Sequence, residues 1–189
     1  IVVMKKGETW QFKHLIVPSM SNVRDGIITP ALAPWLRHFK GLANIKGVKP
    51  HRKIVVLRPG AVTRRIQNSD ELLLNLKGWE TVVLEKISIR EQIKTFAEAS
   101  HVVAAHGAGL TNLLWCQPGT KVLEINQKSE IHKKVYPLLS HNLNLEHKLY
   151  LADVVQIPKE NGKKPKGIKR FSDMIKFKID IPEIMEHLE

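Results

Sequence analysis

Between residues 53 and 151, short apolar runs rich in β-branched residues recur, with helix-like stretches in the gaps. This alternation restricts the fold more than any other property of the chain. The runs are Lys53-Ile-Val-Val-Leu57, Thr81-Val-Val-Leu84, Val102-Val-Ala-Ala105, Lys121-Val-Leu-Glu-Ile125 and a more polar one at 146–151. The first four are apolar almost throughout, as strands buried on both faces are. In the gaps, Asn68 stands three residues before Glu71 and ahead of Leu72, Leu73, Leu74 and Leu76, which predicts a capped helix ended by Gly78. Ser88 and Glu91 form a second capping box, with Ile89, Ile93, Phe96 and Ala97 on one helical face. Residues 108–115 read as a short helix, Gln117-Pro-Gly119 as a turn, and 131–140 as a further helix. Strands joined by helices of this length predict a Rossmann-like, doubly wound α/β fold: a parallel sheet with helices on both faces.

The flanks are less regular. Residues 14–17 read as a strand, 30–42 as a helix with Pro30 in its first turn, 176–179 as a last strand and 182–188 as a terminal helix. This divides the chain into 1–50, a connector, 51–158, the Rossmann-like unit, 159–170, a basic loop or linker, and 171–189, the closing strand and helix. The 189 residues carry a formal charge of +12, a balance that favours anionic partners. Part of it lies in the Gly/Pro-broken run from Lys159 to Arg170, which reads as a solvated loop or as a contact for an anionic membrane face. Aromatic residues make up 6% of the chain and none interleaves with that run, so nucleic acid is disfavoured as a partner. One cysteine, Cys116, excludes an internal disulfide and a cysteine-built zinc site. With no Asn-x-Ser/Thr sequon, this fits a reducing compartment. No apolar run approaches the roughly 18 residues of a spanning helix. The opening "IVVMKKGETW" has no signal-peptide layout and reads as the start of an excised piece.

Ligands of open parallel sheets bind beyond the carboxyl ends of the strands. Arg58 follows the first strand, Glu85 the second and His106-Gly107-Ala108-Gly109 the third, while Glu124 lies at the end of the fourth. The two glycines permit a sharp turn and close approach of a ligand to the backbone. A helix begins there, so the N–H groups from Ala108 through Leu110 to Thr111 form a candidate phosphate cradle, with side-chain donors on Thr111 and Asn112. His106 can donate to a phosphate oxygen or protonate a leaving oxygen. A ligand-free strand-to-helix turn is the competing reading. Dinucleotide binding would need glycine at Asn112, in the first strand–helix unit; the nucleophile elbow and the P-loop find no Ser and no Lys where they need them. His101 and His106, five apart across a strand, face opposite sides, so no metal site is expected. Arg58, Arg64 and Arg65 place three guanidiniums between one strand and the next helix, suited to clamping a diphosphate. Trp79 and Trp115 read as core.

Arg58, Arg65, Asn68, Glu71, Leu84-Glu85, Ser88, Glu91-Gln92, Phe96, His106-Gly-Ala-Gly-Leu-Thr-Asn112, Pro118-Gly-Thr120 and Glu124 together resemble the C-terminal region of glycosyltransferase family 61. Val17-Pro18 and Trp35-Leu-Arg37 are similar to that family's connector from an acceptor domain, and 180–188 to its usual ending. The resemblance implies the C-terminal half of a GT-B arrangement, inversion at the anomeric carbon, no resident cofactor and no obligatory metal. The nucleotide-sugar, with a UDP-sugar expected, is a substrate. Arg58, Arg65, His106 and the turn of residues 107–112 would neutralise the leaving diphosphate, and Glu85 or Glu124 would accept from the ribose hydroxyls. The acceptor implied is a carbohydrate or glycan, in surface or capsular polysaccharide synthesis. The location implied is cytoplasmic, at the inner membrane's periphery, or the Golgi or ER lumen in a eukaryote. A catalytically inactive module binding nucleotide or nucleic acid is the alternative.

Overall fold

The computed structural model describes residues 6–9, 11, 13–14, 22–23, 27–28, 34, 38, 40–41, 43–45, 47–61, 64–127, 134–156 and 175–188. Two short strands, β1 (Asn22–Val23) and β2 (Ile27–Ile28), pair antiparallel near the amino end. The main body runs β3 (Arg52–Val56), α1 (Ser69–Asn75), β4 (Glu80–Val82), α2 (Ile89–Ala97), β5 (Ala99–Ala105), a 3-10 helix (Ala108–Trp115), β6 (Lys121–Asn126), α3 (Val135–Asn142) and β7 (Glu146–Leu151). Then come β8 (Asp153–Gln156), β9 (Ile175–Lys178) and α4 (Ile181–Leu188).

Strands β3 to β7 form one parallel sheet in the order β4-β3-β5-β6-β7. The alternation of side chains then decides which residues meet which layer. Ile54, Val56, Val102, Ala104 and Val122 face a layer built by Phe96 of α2, Leu110 and Leu113 of the 3-10 helix, and Leu139 of α3. Val55, Val103, Leu123 and Ile125 face the other layer, with Leu72 of α1 and with Phe177, Ile181 and Ile184 from the end of the chain. Both faces are therefore covered, and the continuous apolar runs have their physical reason. The closing segment is part of this core. Its strand β9 pairs antiparallel with β8, outside the main sheet, and bridges Ile66 in parallel. Backbone bonds on either side of that bridge, Gln67 N to Phe177 O (2.7 Å) and Phe177 N to Arg65 O (2.9 Å), tie the loop after β3 to the chain's end.

Local expectations are corrected at several places. Asn68 does not cap α1. Its amide donates to Ile179 O (2.9 Å) and to Glu71 Oε2 (3.1 Å), and its oxygen accepts from Ile179 N (3.2 Å), so it fastens the β9–α4 junction instead. The capping box of Ser88 and Glu91 forms, but Ile89, expected on the buried face, is 75% exposed because it sits in the first turn, beyond the sheet's edge. The second strand ends at Val82, and residues Leu84–Lys86 turn as a 3-10 helix. The expected strand at 14–17 lies outside the described residues except His14, as does the basic run at 159–170. Of the helix expected at 30–42, Pro34, His38, Lys40 and Gly41 are described and helical.

Candidate functional site

Counted along the chain, the sheet reads 2-1-3-4-5, so consecutive connections leave β3 and β5 in opposite directions. A crevice opens at the carboxyl ends of these two neighbours, as it does wherever an open parallel sheet reverses its winding. Here it is a cleft of about 350 Å³. Val56 and Ala104–Ala105 from the two strands line it, together with Arg58 and Arg64 from the loop after β3, Leu84 and Glu85 from the turn after β4, Gln92 of α2, and Gly107–Leu110 and Asn112 from the glycine loop. Seven of the eleven residues singled out from the sequence line it: Arg58, Glu85, Gly107, Ala108, Gly109, Leu110 and Asn112; Arg65, His106, Thr111 and Glu124 are not in the lining. The Leu110 side chain is 1% exposed and belongs to the core. That leaves its backbone as the contact.

The loop is a 3-10 helix whose first internal bond runs from Leu110 N to Gly107 O (3.0 Å). The N–H groups of Ala108 and Gly109 precede that bond and have no partner in the helix. Gly107 is extended, at φ 162°, a conformation open to any residue. Gly109 is required for space: a Cβ there would come within 2.8 Å of Leu84 Cδ1. Asn112 braces this turn rather than extending the cradle, since its amide donates to Gly109 O (3.2 Å) and to Gln92 Oε1 (3.0 Å). Gln92 in turn donates to Leu84 O (3.0 Å), tying the glycine wall to the turn that carries Glu85. Thr111 bonds the Tyr136 hydroxyl and is not in the cleft lining.

The arginines divide differently from expectation. Arg58 Nε lies 3.7 Å from Glu85 Oε1, a loose pair across the mouth. Arg65, expected to meet a diphosphate, turns away from the cleft: its guanidinium donates to Pro59 O (3.2 Å), and it lines a smaller hollow beyond. Its neighbour Arg64 lines the cleft instead. A left-handed backbone at Arg64, φ 54°, separates the two. Arg64 Nε is buried without a hydrogen-bond partner, the one such side-chain atom among the described residues. A buried N–H left unsatisfied costs on the order of 1–3 kcal/mol.

Glu124 is also corrected. It is 1% exposed, beneath the loop, with one carboxylate oxygen hydrogen-bonded by His106 Nδ1 and the other 3.0 Å from His147 Nε2. Both oxygens are occupied, so it does not fit as an acceptor for ribose hydroxyls. Burial pushes its carboxyl pKa up, but the two imidazoles pull harder, and it settles below the usual glutamate value. His106 is 9% exposed and packs edge-on against Tyr136, ring centroids 5.3 Å apart. Burial raises the Tyr136 pKa. Gln92, Tyr136, Ser140 and His147 were given no site role from sequence. The strand alternation that puts Leu145 and Leu149 on one side of the chain puts His147 there too, which was the available signal. Among the described residues no group of three or more His, Cys, Asp or Glu is arranged to hold a metal ion, and no helix is long and apolar enough to cross a membrane.

The model of the family Glycosyltransferase 61 matches residues 2–123. Beta-1,2-xylosyltransferase RCN11 of Oryza sativa subsp. japonica is 31% identical over 150 residues, covering 72% of this chain and 26% of the relative. A beta-1,2-xylosyltransferase of Arabidopsis thaliana is 27% identical over 110 residues, covering 50% of this chain and 20% of the relative. The chain thus spans about a quarter of one relative's length and a fifth of the other's. The matched segment carries the cleft residues from Arg58 to Asn112, and with them the chain belongs to glycosyltransferase family 61.

Proposed function

We propose that this chain is the donor-holding part of a glycosyltransferase, and that the cleft between β3 and β5 receives the diphosphate of a nucleotide-sugar. The observation that carries this reading is Arg64 Nε, buried and without a hydrogen-bond partner in the cleft that the Gly107–Gly109 turn also lines. A diphosphate offers acceptors to that N–H, to Arg58 and to the first N–H groups of the 3-10 helix at once. In transfer, the bond from the anomeric carbon to the diphosphate oxygen breaks and the oxygen keeps the electron pair. Arg58 and Arg64 stabilise that growing charge without a metal. The acceptor hydroxyl oxygen bonds the anomeric carbon from the opposite face, which inverts it, and its proton leaves to a base. A second domain completes a GT-B cleft and brings the glycan acceptor. The nucleotide is UDP and, by the names of the two plant relatives, xylose is the sugar to try first, against beta-linked glycans and surface polysaccharides alike.

Thermal unfolding of the chain with UDP, GDP, CDP and NAD, each with and without magnesium, tests this. A ligand at a hundred times its Kd adds roughly 2.7 kcal/mol. UDP alone should raise the midpoint, equally in both conditions, and Arg64→Gly should cut the rise to about a third. No rise with any nucleoside diphosphate sinks the reading. Equal rises with all four point to a general anion or nucleic-acid surface.

A further inference from the structure

Four side chains form a hydrogen-bonded line from α3 to the glycine loop. Ser140 Oγ lies 2.7 Å from His147 Nδ1, His147 Nε2 lies 3.0 Å from Glu124 Oε2, and His106 Nδ1 bonds Glu124 Oε1. Ser140 and Glu124 are 0% and 1% exposed. An ionised carboxylate only accepts, so both imidazoles must donate to it. The protons are thereby assigned: Nδ1–H on His106, Nε2–H on His147, and the Ser140 hydroxyl donating to His147 Nδ1. His106 Nε2 is then left without a partner among the described residues. The His106 side chain keeps 11% of its surface exposed and stands beside the Tyr136 ring.

Stability alone does not explain this line. Apolar side chains of similar volume stabilise a core as well as a buried charged trio or better. What the trio supplies is orientation: a carboxylate behind an imidazole fixes the tautomer and the ring plane. We propose that His147 and Ser140 are positioning residues that act through Glu124 to hold His106 in the Nδ1–H tautomer, offering Nε2 as the atom that binds or exchanges a proton beside the Gly107–Gly109 turn. The charged and titratable groups around His106 are Glu124 from β6, Tyr136 from α3, His147 from β7 through Glu124, and Arg64, whose charge reaches the Tyr136 hydroxyl from the loop after β3. That Nε2 meets an anionic leaving group rests on the donor-site reading; the proton assignment does not.

The ring nitrogens of the whole chain, labelled with 15N-histidine, report the tautomers directly, with His106 and His147 assigned by single substitutions. In the ligand-free protein His106 should show a protonated Nδ1 and a bare Nε2, and His147 the reverse. In His147→Phe the His106 signals should move to a tautomer average and UDP affinity should fall by about tenfold, the size of a lost charge-assisted bond. His147→Gln, whose amide can donate to Glu124 again, should restore most of both. Should the Phe variant fail to fold, Ser140→Ala should still shift the His147 ring signals and, more weakly, those of His106. A protonated Nε2 on His106 in the native chain overturns the proposal. So do His106 signals unmoved by either His147→Phe or Ser140→Ala. The expected tautomers together with no UDP binding leave the relay standing and remove the donor-site reading.

Discussion

Two polar regions meet at the carboxyl end of β5, and they are built on opposite terms. In the interior, Ser140, His147, Glu124 and the Nδ1 side of His106 satisfy one another. In the cleft, a few ångströms of chain away, Arg58 and Glu85 are held loosely at 3.7 Å and Arg64 Nε has no partner. A saturated buried network specifies geometry; an unsaturated wall waits for a ligand. His106 stands where they join, its Nδ1 in the network and its chain neighbour Gly107 in the cleft lining. Substitutions in the first region should therefore cost the fold, and those in the second should cost the ligand.

The largest effect is expected from Glu124→Ala. It leaves two buried imidazoles without their common acceptor, and denaturant unfolding should show a loss of about 3 kcal/mol. The same carboxyl gives a pH signature. Its folded pKa lies below its unfolded one, so its stabilising share is present above the usual glutamate value and is lost as the pH falls through the folded pKa. Acid unfolding should start at higher pH once that residue is Gln, because the charge it stabilised is gone throughout.

Next comes Arg64→Gly, which removes the guanidinium while suiting the left-handed backbone. Titration with UDP should show binding weakened by about 2 kcal/mol, with the unfolding midpoint unchanged or slightly raised. A fall in stability matching the fall in binding would erase the distinction between the two regions. Gly109→Ala should cost about 1 kcal/mol of stability, since Leu84 has to shift, and Leu84→Ala in the same chain should relieve the crowding. Smallest is Arg65→Ala, an exposed contact to a carbonyl, at roughly 0.5 kcal/mol in either measurement. An Arg65 effect larger than that of Arg64 would reverse the assignment of the cleft wall.

The sheet was legible in the sequence because strands buried on both faces must be apolar along most of their length, and the runs at 53–57, 102–105 and 121–125 are, apart from Lys53, Lys121 and Glu124. The glycine turn was legible because Gly107 and Gly109 follow such a run directly. Arg64 and Arg65 were not separable: which one enters the cleft hangs on one backbone angle at Arg64, and two adjacent arginines carry no local sign of it. Glu124 was readable as a carboxylate at a strand's end but not as a buried one, since its partner His147 arrives from another strand by the register Val122↔His147. Asn68 misled for a related reason: its capping pattern is local, while its actual bonds reach Ile179, more than a hundred residues on.

The bond from Phe177 N to Arg65 O, with its neighbours at Ile66 and Gln67, has a bearing on how the protein is made. Synthesis runs from the amino end, so the arginine-bearing loop emerges early, the glycine turn some forty residues later and the brace on His106 after β7. Yet the earliest of these pieces is clasped by one of the last. On a ribosome the nascent chain would carry the cations of the site long before it could hold them still, and a polypeptide halted short of β9 would own every residue of the cleft without its shape.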